Sequence, residues 1–381
     1  MRPVTSRLRP VAAAAAVGLL LAACGSSGPG ALSTVTTGPG AATSAPPAAT
    51  TAPATTTAPA TARKVYPAGA FDTTDAALDA RVHAAGLSVG MIRIVDADGN
   101  VIHEHGIGGM TGTTPLGIAS STKWLTAATF MTFVDKRAIG LDDDIAKWLP
   151  EFAGSNITAR ELLDHTSGVH DNPCQTDGTP LATCVRTLAS SPREFAAGRA
   201  FSYGNSPFLV VGRLVEVLGN GDFATVVRQQ LTGPLGMDDT TWPGAPGAAS
   251  PAFGARVTVD DYGKLLDMVL HGGIHNGTRV LSADAVQQMI TNQVGAYDTT
   301  HDYSVGITQI PRYGLGCWPD VVDGAGNTVV VSGNGGEGFY PWVDLATRTW
   351  GIVGLDDTRG AQYAVPASQQ VEVEARTAVG R

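Results

Sequence analysis

Residues 120–134 read Ser-Ser-Thr-Lys-Trp-Leu-Thr-Ala-Ala-Thr-Phe-Met-Thr-Phe-Val, a polar start followed by a run with apolar residues on nearly every side of a helix. A surface helix would have one apolar and one polar face, whereas a helix that is apolar nearly all round is buried. This stretch therefore predicts a buried helix whose polar and charged residues gather at its N-terminal end.

Two residues at the start of this helix, Ser120 and Lys123, have the spacing of a nucleophile and its base. Residues at i and i+3 share a helix face, so the Lys123 amine can reach the Ser120 hydroxyl. Burial lowers the pKa of a lysine, and a neutral amine can take the proton of an attacking serine. The helix N-terminus adds free N–H groups and a positive dipole end. The pattern is short, and a helix cap followed by a surface lysine remains the alternative.

Hydrophobic periodicity and turn signals predict strands at both chain ends and helices between them. The early strands form a hairpin around Asp98-Gly99, and Thr73 or Thr74 is the expected N-cap of the first helix. We predict an α+β fold: one antiparallel sheet from both chain ends, flanking helices, an inserted helical lobe, and a cleft where the lobes meet. Predicted strands span 88–95, 101–107, 328–332, 338–343 and 349–355; predicted helices span 73–85, much of 120–240, two segments within 264–292, and 367–378.

The N-terminus has the pattern of a secretion signal. Basic residues at 2, 7 and 9 precede an apolar run from Val11 to Ala23, which is too short to span a bilayer. The run ends in Leu21-Ala22-Ala23-Cys24, which resembles a bacterial lipobox. We expect a signal peptide at 1–23 and a lipid on Cys24 that anchors the protein to the outer face of the bacterial cytoplasmic membrane. An ordinary signal peptide with an incidental cysteine is the alternative.

A segment poor in charge follows the predicted lipidation site. Residues 25–62 contain no charged side chain and consist almost entirely of Gly, Ser, Thr, Ala and Pro. Such a segment cannot bury enough apolar surface to offset its ordering entropy, so 24–63 is expected to be a disordered linker. The remainder, 68–381, is expected to be one domain. The formal net charge of −9 provides no basic field, which argues against a nucleic-acid partner.

Three cysteines remain after Cys24. Cys174 and Cys184 lie close together in a polar segment, and secretion implies an oxidising compartment, so we expect a local disulfide worth about 2–3 kcal/mol. Cys317 is left over and is expected to be a small buried hydrophobe.

Several phrases of the sequence together resemble the serine β-lactamase and penicillin-binding-protein superfamily, in its class C-like branch of β-lactamases, D-alanyl-D-alanine peptidases and esterases. The resemblance covers roughly residues 75–358. Besides Ser120-x-x-Lys123, it rests on the second motif, Tyr203-Gly204-Asn205. Further matching phrases are residues 141–144, 149–152, 157–168, 234–237 and 313–316.

The resemblance implies a serine hydrolase that works through an acyl-enzyme. Ser120 would attack a carbonyl carbon, Lys123 with Tyr203 would relay the proton, and Asn205 would position the substrate and Lys123. Small-molecule esters, D-amino-acid peptides and β-lactams are the substrate classes that this chemistry covers. No cofactor or metal is expected.

The third family motif departs from the pattern. Relatives carry Lys-Thr-Gly or His-x-Gly on a strand beside the cleft, whereas this chain reads Ser-Gly-Asn-Gly-Gly-Glu-Gly over residues 332–338, without a cation. Gly333, Asn334, Gly335 and Gly336 make up the matching stretch, and Gly335 or Gly336 would offer an N–H to form an oxyanion hole with that of Ser120. The missing cation also supports an alternative: a catalytically weak or inactive protein that binds cell-wall or lipid fragments.

Two other patterns are weaker. Gly86-Leu87-Ser88-Val89-Gly90 matches a nucleophile elbow, but that motif requires a strand–turn–helix setting that is not predicted here. His103 and His105 lie on one face of a predicted strand, yet no third ligand has a recognisable spacing. A hairpin edge is the simpler interpretation of the two histidines.

Overall fold

The computed structural model describes residues 64–172, 174, 179–244, 247–295 and 312–380. The predicted signal peptide, Cys24 and the predicted linker lie outside the described residues, as does Arg381. Within the described ranges, no helix is both long and apolar enough to cross a membrane.

Helices fill the middle of the chain and flank both ends. The described helices are α1 (Asp72–Ala85), α2 (Thr122–Asp135), α3 (Ala159–Leu163), α4 (Leu181–Ser190), α5 (Ser206–Gly219), α6 (Phe223–Val227), α7 (Gly233–Leu235), α8 (Val259–Leu270), α9 (Ala283–Ile290) and α10 (Ala361–Gly380). Short 3₁₀ turns occur at Ala119–Ser121, Ile145–Lys147 and Pro150–Phe152, and a π-helical turn at Arg228–Thr232 joins α6 to α7.

Strands from the two ends of the chain combine in one antiparallel sheet. The described strands are β1 (Gly90–Asp96), β2 (Val101–Ile107), β3 (Leu116–Gly117), β4 (Arg256–Val257), β5 (Ile274–His275), β6 (Thr278–Arg279), β7 (Trp318–Val322), β8 (Thr328–Ser332), β9 (Tyr340–Asp344) and β10 (Thr349–Leu355). The main sheet has the order β2-β1-β10-β9-β8-β7, and β1 pairs with β10 from Gly90↔Leu355 to Asp96↔Thr349. The predicted α+β architecture is confirmed.

The two faces of the sheet bury different helices, because side chains alternate along each strand. Ile92, Ile94 and Val353 pack with residues of α1 and α10. Met91 and Ile352 point to the opposite face and join the larger core that contains α2 and α8. As predicted, α2 is buried along almost its whole length, from Thr122 to Phe133.

Sequence patterns missed the two-residue strands β3, β4, β5 and β6 and one strand of the main sheet, and they misplaced one cap. Strand β7 was not predicted because Pro319 interrupts it; proline is tolerated there since β7 is an edge strand with irregular register. The assignment of Thr73 or Thr74 as the N-cap of α1 is wrong, because the helix begins at Asp72 and both threonines lie inside its first turn. A turn in which Asp72 N–H bonds to Gly69 carbonyl starts the helix instead.

Helix α5 packs closely against the segment 247–255, which leads into β4. A Cβ atom added to Gly212, in the middle of α5, would lie 2.0 Å from the Cγ atom of Pro251. The same segment is held to α2, because the Thr126 hydroxyl donates to the Pro251 carbonyl at 2.7 Å. Gly212 thus allows α5, α2 and this segment to meet.

Replacing Gly212 with alanine is therefore expected to destabilise the fold by about 1–3 kcal/mol, because the methyl group overpacks against Pro251. The free energy of unfolding from urea titration is the measurement. Gly380→Ala is the matched control, since an added Cβ there meets nothing within 4 Å, and it should change stability by less than about 0.5 kcal/mol. Equal stabilities of the two variants would contradict the packing argument.

Candidate active site

Ser120 lies in the 3₁₀ turn Ala119–Ser121 that leads directly into α2. The preceding residue, Ala119, has a φ of 41°, a left-handed conformation that costs energy for a residue with a side chain. Neighbouring contacts hold this turn in place: the Tyr262 hydroxyl on α8 donates to the Ser121 carbonyl at 2.8 Å. The Ser120 N–H has no acceptor within the described residues, so it is free to face a ligand.

Lys123 lies one turn along α2, and its side chain is fully buried. Its Nζ donates to Ser120 Oγ at 3.2 Å, to Asn205 Oδ1 at 2.9 Å and to the Ala252 carbonyl at 3.1 Å. Burial disfavours the charged ammonium and lowers the pKa of Lys123 to about 7, although Asp171 opposes the shift. Near neutral pH, Lys123 can therefore exchange a proton with the group it faces.

The three partners of Lys123 distinguish its two protonation states. The carbonyl of Ala252 and the amide oxygen of Asn205 can only accept hydrogen bonds. A neutral amine has two N–H groups, which these two acceptors can occupy. Its lone pair then faces the Ser120 hydroxyl, which is the only partner able to donate a proton.

Tyr203 brings a second titratable group to Ser120. Its hydroxyl hydrogen-bonds with Ser120, while burial raises the pKa of Tyr203 to about 12 and keeps the phenol neutral. Its ring centroid lies 4.9 Å from Lys123 Nζ and packs against the rings of His165 at 4.6 Å and Trp318 at 5.3 Å. The phenol is thus held beside Ser120 by an aromatic cluster.

The position of His165 in this cluster is structural in character. The ring is 1 % exposed, and neither ring nitrogen has a hydrogen-bond partner within the described residues. Burial, with a smaller contribution from Lys123, lowers the pKa of His165 well below its usual value, so the imidazole is neutral. His165 packs against Phe208 of α5 and Tyr313 as an aromatic ring would.

The third motif forms the connection between β8 and β9, beside the Ser120 turn. The hydroxyl of Ser121 is hydrogen-bonded to the Gly333 carbonyl and lies 3.3 Å from the Phe339 carbonyl. A Cβ atom at Gly335 would lie 2.2 Å from the Ile118 carbonyl oxygen. Glycine at this position therefore allows the motif to approach the backbone next to the nucleophile.

Hydrogen bonds of this connection correct the predicted oxyanion donor. The Gly335 N–H is not free, because it donates to the Phe339 carbonyl at 2.8 Å in a continuation of the β8–β9 ladder. The Gly333 N–H is also occupied, by the Pro341 carbonyl at 3.0 Å. The N–H groups of Asn334, Gly336 and Glu337 have no acceptor within the described residues.

Two polar side chains lie in the third-motif stretch, where the resemblance leads us to expect a cation. Asn334 is 4 % exposed, and its buried Nδ2 has no hydrogen-bond partner within the described residues. Glu337 is half-buried, and its Oε2 would lie 2.5 Å from a Cβ atom added to Gly117. Arg256 and Arg312 donate to the carbonyls of Pro115 and Asp320, both outside the third motif.

The structure brings Ser120, Lys123, Tyr203 and Asn205 together, with residues 333–337 beside them. Sequence reasoning missed the Ala252 carbonyl, because a backbone acceptor leaves no mark in a motif. It also missed Asp171, whose Oδ1 accepts the N–H groups of Asn205 and Ser206 at 2.8 Å each. The only signal for Asp171 was a polar residue shortly before a cysteine of the expected disulfide.

The remaining singled-out residues lie elsewhere. Ser88 lies between α1 and β1, outside any strand–turn–helix elbow. His103 and His105, on edge strand β2, bond to Asp75 and Asp79 of α1, and no metal-binding cluster occurs within the described residues. Cys174 and Cys184 form a disulfide with Cα atoms 5.2 Å apart, and Cys317 is buried with a pKa raised by desolvation.

Comparison with known proteins places this arrangement in context. A family model described as Beta-lactamase matches residues 71–371. The chain is 26% identical to penicillin-binding protein 4 of Amycolatopsis lactamdurans, over 59% of this chain and 74% of that one. It is 30% identical to esterase EstB of Burkholderia gladioli, over 45% of this chain and 55% of that one.

Solved structures share the fold. The chain superimposes on a candidate beta-lactamase from Bacteroides dorei with a TM-score of 0.74 and 27% identity, over 83% of this chain and all of that one. Because the family model matches residues 71–371, which is most of the chain, the protein belongs to the β-lactamase family, within the serine β-lactamase and penicillin-binding-protein superfamily.

Proposed function

We propose that the protein is an extracytoplasmic, lipid-anchored serine hydrolase that forms an acyl-enzyme on Ser120, and that small neutral esters are its preferred substrates. The observation that carries the proposal is the set of hydrogen bonds around Lys123. Two obligate acceptors orient the buried amine, and its third position faces the Ser120 hydroxyl at 3.2 Å.

The proposed reaction begins with neutral Lys123. As Ser120 Oγ attacks the substrate carbonyl carbon, its proton passes to Lys123 Nζ, and a tetrahedral oxyanion forms. The free N–H of Ser120 and one from the Gly336–Glu337 turn supply two donors for that oxyanion. Tyr203, neutral and hydrogen-bonded to Ser120, donates a proton to the leaving group, and Lys123 restores the phenol proton.

Deacylation reverses the roles. Water takes the place of the leaving group and attacks the acyl carbon, while the Tyr203 and Lys123 pair accepts its proton. Ser120 Oγ then leaves as a hydroxyl, and the acid product is released. Asn205 keeps its contact with Lys123 throughout, so the amine stays aimed at the reacting oxygen.

The preference for neutral esters follows from the third motif. A carboxylate that enters a desolvated cleft loses hydration unless a cation or several donors replace it. Here the position offers the amide of Asn334, and the nearest charged side chain on the same turn is the carboxylate of Glu337. The relatives include proteins named as an esterase and as a penicillin-binding protein, so both substrate classes belong in the test.

The absence of a cation from the third motif also supports a second candidate function, that of an inactive binding protein on this fold. It would recognise cell-wall or lipid fragments without turning them over. The buried pair of Ser120 and Lys123 favours the enzyme, because burying a lysine costs desolvation energy even when it is hydrogen-bonded, and a passive binding groove would gain nothing from it.

Ser120→Ala is expected to abolish covalent labelling by a fluorophosphonate and hydrolysis of p-nitrophenyl acetate with little loss of stability, because the Ser120 side chain does not cap the helix. Ser88→Ala is the matched control and should label as the wild type does, because Ser88 has no base beside it. Gel fluorescence and initial rates are the measurements. Absence of labelling in the folded wild type would favour the binding protein, and loss of labelling in Ser88→Ala alone would overturn the site.

Neutral esters should exceed β-lactams and D-alanyl-D-alanine peptides in kcat/KM by about ten- to a hundredfold, the effect of one missing charge-assisted hydrogen bond. The comparison uses p-nitrophenyl acetate, nitrocefin and a D-alanyl-D-alanine peptide with the purified protein. Glu337→Gln should reduce the difference in kcat/KM between the ester and the carboxylate-bearing substrates, because it removes a negative charge that repels their carboxylate. Glu374→Gln, on α10, is the distant control. Nitrocefin or the peptide outpacing the ester would refute the preference.

The anchor is tested separately from the chemistry. Cys24→Ser is expected to release the protein from the membrane fraction, because attachment would rest on acyl chains rather than on a spanning helix. Cys317→Ser is the control that should stay membrane-bound. Retention of Cys24→Ser in the membrane fraction would rule out lipid on this cysteine as the anchor.

A further inference from the structure

Asp171 precedes α4 in the chain, but its side chain contacts the N-terminal end of α5, next to the second motif, Tyr203-Gly204-Asn205. Its Oδ1 accepts the backbone N–H of Asn205 and that of Ser206, each at 2.8 Å. A Cβ atom added to Gly204 would lie 3.1 Å from the Asp171 carboxylate carbon. One carboxylate oxygen therefore fixes the turn that places Tyr203 on one side and Asn205 on the other.

The segment around Asp171 is itself fixed. The N–H of Asn172 donates to the Ser206 hydroxyl at 2.9 Å, so a second residue of the segment bonds to the first turn of α5. Cys174 lies shortly beyond and is joined to Cys184 on α4 by the disulfide. Asp171 thus belongs to a segment that is fixed on both sides, by a hydrogen bond to α5 and by a disulfide to α4.

The charge of Asp171 also reaches the catalytic groups. The residue is exposed, and its Oδ2 has no hydrogen-bond partner within the described residues. Its negative charge favours the ammonium form of Lys123 and disfavours the phenolate form of Tyr203, which raises the pKa of each group against a background set mainly by burial. The other titratable groups facing Lys123 are Tyr203 and neutral His165.

We propose that Asp171 is a positioning residue of the active site, which holds the Tyr203–Asn205 turn through hydrogen bonds and fixes a negative charge beside Asn205, the residue that itself accepts a hydrogen bond from Lys123. The proposal rests on the hydrolase function proposed above. It assigns two separable roles to one side chain, and each role has its own measurable consequence.

The charge role affects the acidic limb of the pH profile. Lys123 must be neutral to accept the Ser120 proton, so kcat/KM rises with pH up to about 7 and then levels off. Removing the negative charge of Asp171 lowers the pKa of Lys123, so the limb moves to lower pH. Because Asp171 is exposed, the expected displacement is roughly a few tenths of a pH unit and shrinks in about 1 M salt.

The hydrogen-bonding role affects the plateau rate. Asparagine accepts at a helix N-terminus as well as aspartate does, whereas alanine does not. Asp171→Asn should therefore shift the limb while keeping the plateau within about threefold of the wild type. Asp171→Ala should shift the limb equally and also lower the plateau kcat by roughly ten- to a hundredfold, because Tyr203 and Asn205 lose their alignment.

Asp222 provides the matched control. It caps α6 in the same way, with Oδ1 accepting the Thr225 N–H at 3.1 Å, but it has no contact with the active site. Asp222→Asn and Asp222→Ala should leave the acidic limb in place, even where Asp222→Ala lowers stability. A plateau loss in Asp222→Ala equal to that in Asp171→Ala would show a general cap effect and overturn the positioning role.

A titration that needs no turnover separates this inference from the proposed function. The pKa of Lys123 can be followed by NMR of the protein labelled with ¹³C at lysine Cε, with Lys264 as the internal reference. Asp171→Asn should lower the Lys123 pKa, whereas the Lys264 resonance should keep its wild-type chemical shift. An unchanged Lys123 pKa would overturn the charge role, whereas a shifted pKa without any ester hydrolysis would overturn the hydrolase function alone.

Discussion

The burial of one amine, Lys123 Nζ, is the constraint on which the active site depends. A charged ammonium in a desolvated position is costly unless acceptors replace its hydration. Its acceptors come from separate parts of the chain: Ser120 one turn away, Asn205 before α5, and Ala252 in the segment that precedes β4. These three parts must be assembled correctly before the lysine can be buried and its pKa lowered.

The segments that meet at Lys123 are also tied to the sheet. Ser121, next to the nucleophile, bonds to the β8–β9 connection and to Tyr262 on α8. Trp318, on the edge strand β7, packs against the ring of Tyr203. The site is therefore a junction between the sheet and the helical lobe, and its geometry reflects the packing of both.

The departure from the family pattern is concentrated on one wall of this junction. The glycines of residues 333–338 allow this connection to approach the Ser120 turn closely, since a Cβ atom added to Gly335 would lie 2.2 Å from the Ile118 carbonyl oxygen. The charge that relatives carry there is absent, since Asn334 is neutral and Glu337 is acidic. Backbone geometry and side-chain charge can thus change independently, because the N–H donors belong to the turn and the charge belongs to its side chains.

The sequence by itself determined the family, the α+β architecture, the burial of α2 and the candidate residues Ser120, Lys123, Tyr203 and Asn205. These features depend on local periodicity or on short motifs with a fixed residue type. The tertiary structure decided which N–H groups of the third motif remain free, because the β8–β9 ladder occupies that of Gly335.

Long-range packing alone also decided the partners of Lys123 and the place of Asp171. The Ala252 carbonyl is a backbone atom that any residue could supply, and Asp171 lies 34 positions before Asn205 along the chain. Strand β7 escaped prediction because Pro319 breaks its pattern, and an edge position tolerates the missing N–H. The sequence specifies which side chains are available, whereas the folded structure determines which backbone groups and charges lie within contact distance of them.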